Sequence, residues 1–191
     1  MATKPNIVER LERKFQNASV KKNSIEAISW FRREATRIGA NRINKTRLME
    51  SYDKVTRVNQ GELYMYWYDP KWKATLPEYD RFPLVFVLEL YDDGFLGLNL
   101  HYLPPKVRQI VLLQFAGTTN FDKHKAKRIN YSVSQVILND EYLKAMVKRY
   151  LWSHFESPVY RVPENDWDKV VFLPLAAFEK KSKRQVWRGL S

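Results

Sequence analysis

The chain has 191 residues, no cysteine, and 33 Lys or Arg against 21 Asp or Glu, a formal net charge of +12. Hydrophobic residues at 45% and aromatics at 14% suffice for a core, so general disorder is excluded. Without Cys there is no disulfide framework, thiolate zinc site, iron–sulfur cluster or cysteine nucleophile. No apolar run approaches the ~20 residues that cross a bilayer, and the opening MATKPNIVERLERKF lacks an apolar signal core. A soluble intracellular chain of one main domain is expected.

Ile7, Val8, Leu11 and Phe15 recur at helical spacing, an apolar stripe on a charged rod. Asn23, with Glu26 three residues on, predicts the start of a second helix. Ile25, Ile28, Phe31, Ala35 and Ile38 line its inner face, Arg32, Arg33 and Arg37 lie on the other side, and Gly39 stops it. A third short helix is expected around Arg47–Val55.

From Gly61 the pattern turns to strands. Leu63–Tyr68 is aromatic and ends at the turn signal Asp69-Pro70, and KWKATLPEYDRFP reads as a loop. Leu84–Tyr91, the turn Asp92-Asp93-Gly94 and Phe95–Tyr102 form a hairpin. A helix is predicted over Val107–Phe115 with Pro105 in its first turn, then a basic loop over Thr118–Arg128. Another helix is predicted from Asn139-Asp140, with Tyr142, Leu143, Met146, Val147, Tyr150 and Leu151 on its buried face. Val159–Val162 and Val170–Leu173 read as short strands rejoining the sheet, and residues 176–188 as a basic helix or arm. The fold class is α+β: a small curved antiparallel sheet or SH3-like barrel at about residues 61–103, wrapped by helices, with basic helical arms at both ends. The division is a basic N-terminal arm (1–60), a central α+β domain (61–174) and a basic C-terminal arm (175–191).

The charge sits at the ends. Residues 1–60 hold 14 Lys or Arg against 6 Asp or Glu, and residues 175–191 hold 5 against 1. Residues 61–174 are balanced at 14 of each sign. Such an imbalance points to an anionic partner, the alternative being a merely solvated face. The candidate grip is Arg32, Arg33, Arg37, Arg42, Lys45 and Arg47, together with Lys180, Lys181, Lys183 and Arg184. Double-stranded DNA held by its phosphates, without base readout, is one partner; acidic protein surfaces are the other. No zinc finger, homeodomain signature or recognition helix is present.

Signals for catalysis are sparse. His101, His124 and His154 lie in separate segments without metal-ligand spacing, and His101 reads as a packed or hydrogen-bonded imidazole. Glu89, Asp92 and Asp93, or Glu179 with Lys180 and Lys181, are the only carboxylate groupings that suggest a Mg²⁺ nuclease. The former is explained as a turn, and Glu179 and Lys181 point apart on a helix. No enzyme, metal or cofactor is expected. Tyr64, Tyr66, Trp67, Tyr68, Trp72, Tyr79, Phe82 and Phe86 invite base stacking, but packing against flanking elements is the simpler account.

Residues 61–108 carry an aromatic strand ending Tyr-Asp-Pro-Lys (Tyr68–Lys71), then a Leu-Pro-x-Tyr-Asp-x-Phe-Pro-Leu loop (Leu76–Leu84). A Gly-Phe-x-Gly-x-Asn-x-His-Tyr-Leu-Pro strand (Gly94–Pro104) follows. In this order they resemble the DNA end protectors of T4-like and cyanobacterial myophages. Ser29–Arg32, Val147–His154 and Glu164–Leu173 are similar too. The resemblance implies a non-enzymatic virion protein, in the host cytoplasm during assembly, that shields double-stranded genome ends from exonuclease. It brings no catalytic residues. A neck, tail or baseplate subunit whose arms hold acidic neighbours is the alternative, and no membrane is implied.

Overall fold

The computed structural model describes residues 5–22, 24–118 and 131–188. Three helices open the chain: α1 (Ile7–Gln16), α2 (Ile25–Thr36) and α3 (Lys45–Glu50). The strands β1 (Asp53–Val55), β2 (Leu63–Met65), β3 (Tyr79–Asp80), β4 (Leu84–Tyr91) and β5 (Gly94–Asn99) follow. After α4 (Pro105–Thr118), α5 (Tyr131–Asn139) and α6 (Glu141–Lys144) come β6 (Val147–Leu151) and β7 (Val159–Val162). The chain ends through α7 (Trp167–Val170), β8 (Phe178–Glu179) and α8 (Lys183–Arg188). Among the described residues, no helix is long and apolar enough to cross a membrane.

Six strands join in one sheet in the order β1-β7-β2-β4-β5-β6, each neighbour antiparallel, while β3 and β8 form a separate pair. The sheet is open, with β1 and β6 at its edges, so the barrel expectation is corrected. It also reaches beyond residues 61–103, because strands drawn from 53–55, 147–151 and 159–162 satisfy the free edges of β2 and β5.

Alternation along β2 and β4 builds two cores. Leu63, Met65, Leu84, Phe86 and Leu88 belong to a large apolar cluster that takes in Val8, Leu11 and Phe15 of α1, Ala27, Phe31 and Ala35 of α2, and Val186 of α8. Burying each large side chain there contributes roughly 1.5–3 kcal/mol. Tyr64, Tyr66, Tyr68, Val85, Val87, Phe95 and Tyr150 form a second cluster on the opposite face, with Phe155 packed against it. Tyr66 meets Tyr150 edge-on at 5.6 Å and Phe155 at 4.4 Å. The tyrosines of the LYMYWY run are thus core residues, closed to stacking on bases.

Several sequence expectations change. The helix predicted onward from Asn139 stops at Lys144, and Val147–Leu151 is β6, paired with β5 from Leu98↔Val147 to Gly94↔Leu151. Apolar positions there suit both periods, and the free edge of β5 decides. Gly94 is required by that pairing: a Cβ on it would lie 1.8 Å from the Tyr150 carbonyl oxygen. Residues 170–173 are the end of α7 and a turn rather than a strand. The third helix runs Lys45–Glu50 and gives way to β1, and the last helix begins only at Lys183. Asn23 and most of the loop expected over Thr118–Arg128, with His124, lie outside the described residues; Ser24 caps α2, accepting from the Ala27 N–H at 3.1 Å.

A buried polar knot links these parts. Asp80 Oδ1 accepts from the N–H groups of Phe82 (3.1 Å) and Ala177 (2.9 Å), and Oδ2 from Nδ1 of His101 (2.6 Å) and Nδ2 of Asn99 (3.4 Å). Asn99 Nδ2 also donates to the Tyr150 hydroxyl at 3.1 Å. Arg108, buried alongside, donates to the carbonyls of Leu103, Val171 and His101, and its charge offsets that of Asp80. Burial opposes the Asp80 charge, but His101 and the two N–H groups outweigh it and hold the carboxyl below its ordinary range. Burial pushes His101 down from its ordinary 6.5 more strongly than Asp80 pulls it up. The imidazole is therefore neutral and Nδ1-protonated, consistent with a buried Nε2 that has no hydrogen-bond partner.

A depressed histidine pKa fixes the sign of the pH dependence. The unfolded chain takes up a proton below about pH 6.5 that the fold refuses, so stability falls as pH falls through that value. In urea titrations the unfolding free energy should drop by up to about 1.4 kcal/mol per pH unit below it. His101→Asn, which keeps a donor toward Asp80, should flatten this slope while lowering stability at neutral pH. The Asp80 contribution is lost only in stronger acid, below its ordinary 3.8.

Candidate nucleic-acid interface

The interface starts with α1. Asn6 caps it by accepting from the Glu9 N–H at 2.9 Å, and Glu9 returns to the Asn6 N–H at 3.1 Å, a complete capping box. With Val8, Leu11 and Phe15 turned inward, Arg10 and Lys14, four residues apart, share an exposed face. Phe15 stacks on Phe31 of α2 at 4.7 Å and meets Trp30 edge-on at 5.3 Å, fixing how α1 lies on α2. From the far end, Lys169 of α7 reaches Asp166, Asp168 and Glu12 at 3.1, 3.4 and 3.4 Å. Burial works against its charge, but the three carboxylates hold the ammonium above the usual lysine range.

On this frame the cations converge. Arg10, Lys14, Arg37 and Arg42 line a concavity of about 220 Å³, and Arg10, Arg42 and Arg47 line an adjoining one of about 380 Å³. Ile7 sits between the two. The only carboxylate in either lining is Glu34, which pairs with Arg37 at 2.6 Å and Lys14 at 3.5 Å. Asn44 caps α3 by accepting from the Arg47 N–H at 2.9 Å, which sets the start of that helix beside α1. Five cations against one acid, drawn from α1, the end of α2, the 3-10 turn at 40–42 and α3, make a strongly positive concave face.

Of the residues singled out in sequence, Arg37, Arg42 and Arg47 meet here. Arg33 is exposed and Arg32 half-buried, and neither enters the two linings. Lys45 lies near Lys183: burial, then repulsion from Arg108 and Lys45, holds the Lys183 ammonium below its ordinary range. The N- and C-terminal basic stretches therefore approach each other. Sequence reasoning missed Arg10 and Lys14, although their spacing opposite the apolar stripe of α1 marks them.

The C-terminal lysines are occupied within the fold. Lys180 Nζ donates to the carbonyls of Lys73 (2.5 Å), Ala74 (3.0 Å) and Leu76 (2.7 Å), and adopts φ 68° to do so. That left-handed backbone is costly for a side chain other than Gly, and three carbonyls gathered by one ammonium offset it. Lys181 pairs with Glu78 at 2.6 Å, and Lys183 faces the Pro174 carbonyl at 3.4 Å. Arg184 is exposed.

The groups considered for nuclease chemistry stand apart. Asp93 pairs with Arg149, and Glu89 holds the Tyr91 hydroxyl, raising its pKa. Glu179 is in β8. Glu12, Asp166 and Asp168 do converge, but on the ammonium of Lys169. Among the described residues, no group of three His, Asp or Glu side chains is placed to hold a metal ion. His154 follows β6 rather than a helix, with its Nδ1 2.9 Å from the Asp69 carbonyl.

A protein-family model described as the phage T4 terminal DNA protecting protein matches residues 7–189. The chain belongs to this family. The match spans nearly the whole chain and so extends the resemblance seen over residues 61–108 to both basic ends, including every candidate cation named above. No curated protein and no solved structure matches the chain.

The two sets of cations are separable. Lys180→Met should lower the thermal unfolding midpoint by a few degrees and open the 71–76 loop to proteolysis, with DNA retention unchanged. Arg42→Gln should do the reverse. Differential scanning fluorimetry alongside a gel shift reads both.

Proposed function

We propose that this protein binds the double-stranded ends of a phage genome and shields them from exonuclease, gripping phosphates with Arg10, Lys14, Arg37, Arg42 and Arg47. The observation that carries the reading is the convergence of these five cations around two adjoining concavities with one carboxylate between them. Membership of a family named for protecting terminal DNA supports it. Guanidinium and ammonium groups spread over a concave face neutralise backbone charge without reaching base edges, so binding is indifferent to sequence. Arg184, exposed, and Lys45, beside Lys183, extend the same field toward the C-terminal stretch. The role needs a rigid cationic body and no catalytic group. In this reading the protein travels in the virion with the packaged genome, having joined it in the host cytoplasm. No observation favours a neck, tail or baseplate partner over DNA.

Gel shifts on blunt linear duplexes at graded salt test this. Five phosphate contacts predict a log–log slope of about −4 to −5. Arg10→Gln with Arg42→Gln should make it shallower by about 2 on any sequence, and should shorten the survival of linear DNA under a double-strand exonuclease. Affinity that is insensitive to salt overturns the proposal.

A further inference from the structure

A third concavity shares no lining residue with the arginine face and has no part in the reading above. It has a volume of about 300 Å³ and opens between the 68–79 loop, the end of β5 and β6. Its aromatic walls include Trp72, Tyr79 and Tyr102, and its cations are Lys71, Lys148 and Arg149. Trp72 is 65% exposed, the largest such value among the exposed apolar side chains, with Lys71 Nζ 5.1 Å from its ring centre. Lys148 Nζ stands 4.5 Å from the ring centre of Tyr102 and donates to the Ala145 carbonyl at 3.0 Å. No carboxylate pairs with it among the described residues. Burial holds this ammonium below the ordinary lysine range, with Glu78 only partly opposing, so an incoming anion would relieve a desolvated charge. Two acids line the wall: Glu78, paired with Lys181 at 2.6 Å, and Asp80, whose oxygens are taken up by the donors of Phe82, Ala177, His101 and Asn99.

The floor is polar and rigid. Asn99 and Tyr150 line it, and the Tyr150 hydroxyl accepts from Asn99, leaving its own proton to donate. The exposed Trp72 ring for a base, ammonium groups held over the Trp72 and Tyr102 rings for a phosphate, and a hydroxyl donor below constitute the chemistry that recognises a nucleobase with its adjoining phosphate.

We propose that this pocket takes one nucleotide, the terminal one of a DNA strand, unstacked from the duplex end and held between Trp72 and the Lys148 side of the wall. Taking a base out of a stack costs a few kcal/mol inside a duplex and least where pairing is already weak, so such a pocket selects ends over interior sites. Phosphate contacts alone make no such distinction. The inference rests on the DNA-binding reading above and adds a source of end preference to it.

Binding of a linear duplex is compared with that of a covalently closed circle of the same length, for the wild type and Trp72→Ala. The exposure of Trp72 makes the variant safe for folding, which circular dichroism checks. The expected result is a loss of about tenfold on the linear form and none on the circle, as one stacked base is worth roughly 5- to 100-fold. Iododeoxyuridine at the terminal position should photo-crosslink to residues 68–79 or 148–150, and at an internal position should not. Equal effects of Trp72→Ala on both forms, or no terminal crosslink, overturn the pocket while leaving the phosphate grip standing. A free deoxynucleoside monophosphate that binds in a Trp72-dependent way without any terminal crosslink reassigns the pocket to free nucleotides and overturns the terminal assignment. A wild type that binds neither DNA form at low salt removes the DNA reading itself, and this inference with it.

Discussion

The carboxylate of Asp80 is the constraint on which the arrangement depends. It is almost wholly removed from water and takes four hydrogen bonds, from two backbone N–H groups, an imidazole and an amide. A buried charge costs several kcal/mol unless it is fully coordinated, so its partners have little latitude. Those partners come from the approach to β4, the end of β5 and the segment leading into β8. One anion thereby sets where the C-terminal stretch lies against the sheet. It also braces Asn99, through which it positions the floor of the aromatic pocket.

Lys169 does for the helices what Asp80 does for the sheet. Its ammonium joins α1 to α7 through three carboxylates, at the opposite side of α1 from the exposed arginine face. In both clusters the buried charge is surrounded by partners, Asp80 by four donors and Lys169 by three carboxylates. Positive charge gathers instead on the outer side of α1, α2 and α3, around the two concavities lined by Arg10, Lys14, Arg37, Arg42 and Arg47. The cations behind the net charge of +12 thus divide into those that hold the C-terminal stretch in place, such as Lys180 and Lys181, and those that line the concave face.

Local patterns legible in the sequence were those whose cause is local. The β4–β5 hairpin follows from the two apolar runs around Asp92-Asp93-Gly94 and α1 from its stripe, while His101, packed as expected, sits in a 3-10 turn at 100–102 just past the end of β5 rather than within the strand. β6 was read as helix because Val147, Tyr150 and Leu151 satisfy a helical spacing; the unpaired edge of β5 that claims them is set by residues some fifty positions earlier. The same distance hides the role of Lys180, whose carbonyl partners at 73, 74 and 76 carry no side-chain signature. The cationic concave face is half visible in the sequence: Arg37, Arg42 and Arg47 cluster there, whereas Arg10 and Lys14 join them only when α1 folds onto α2. The tyrosines of β2 alternate as strands require, yet nothing within the run itself says that a turn containing Phe155 covers them.

Because the sheet does not close on itself, β6 forms one of its borders, with no further strand beside it among the described residues. Such a border invites strands from other molecules to extend it. Lys148 lies on that strand, and a lysine on an edge strand sets an electrostatic cost against such pairing. A residue lining the aromatic pocket thereby also weighs against edge-to-edge joining of crowded copies.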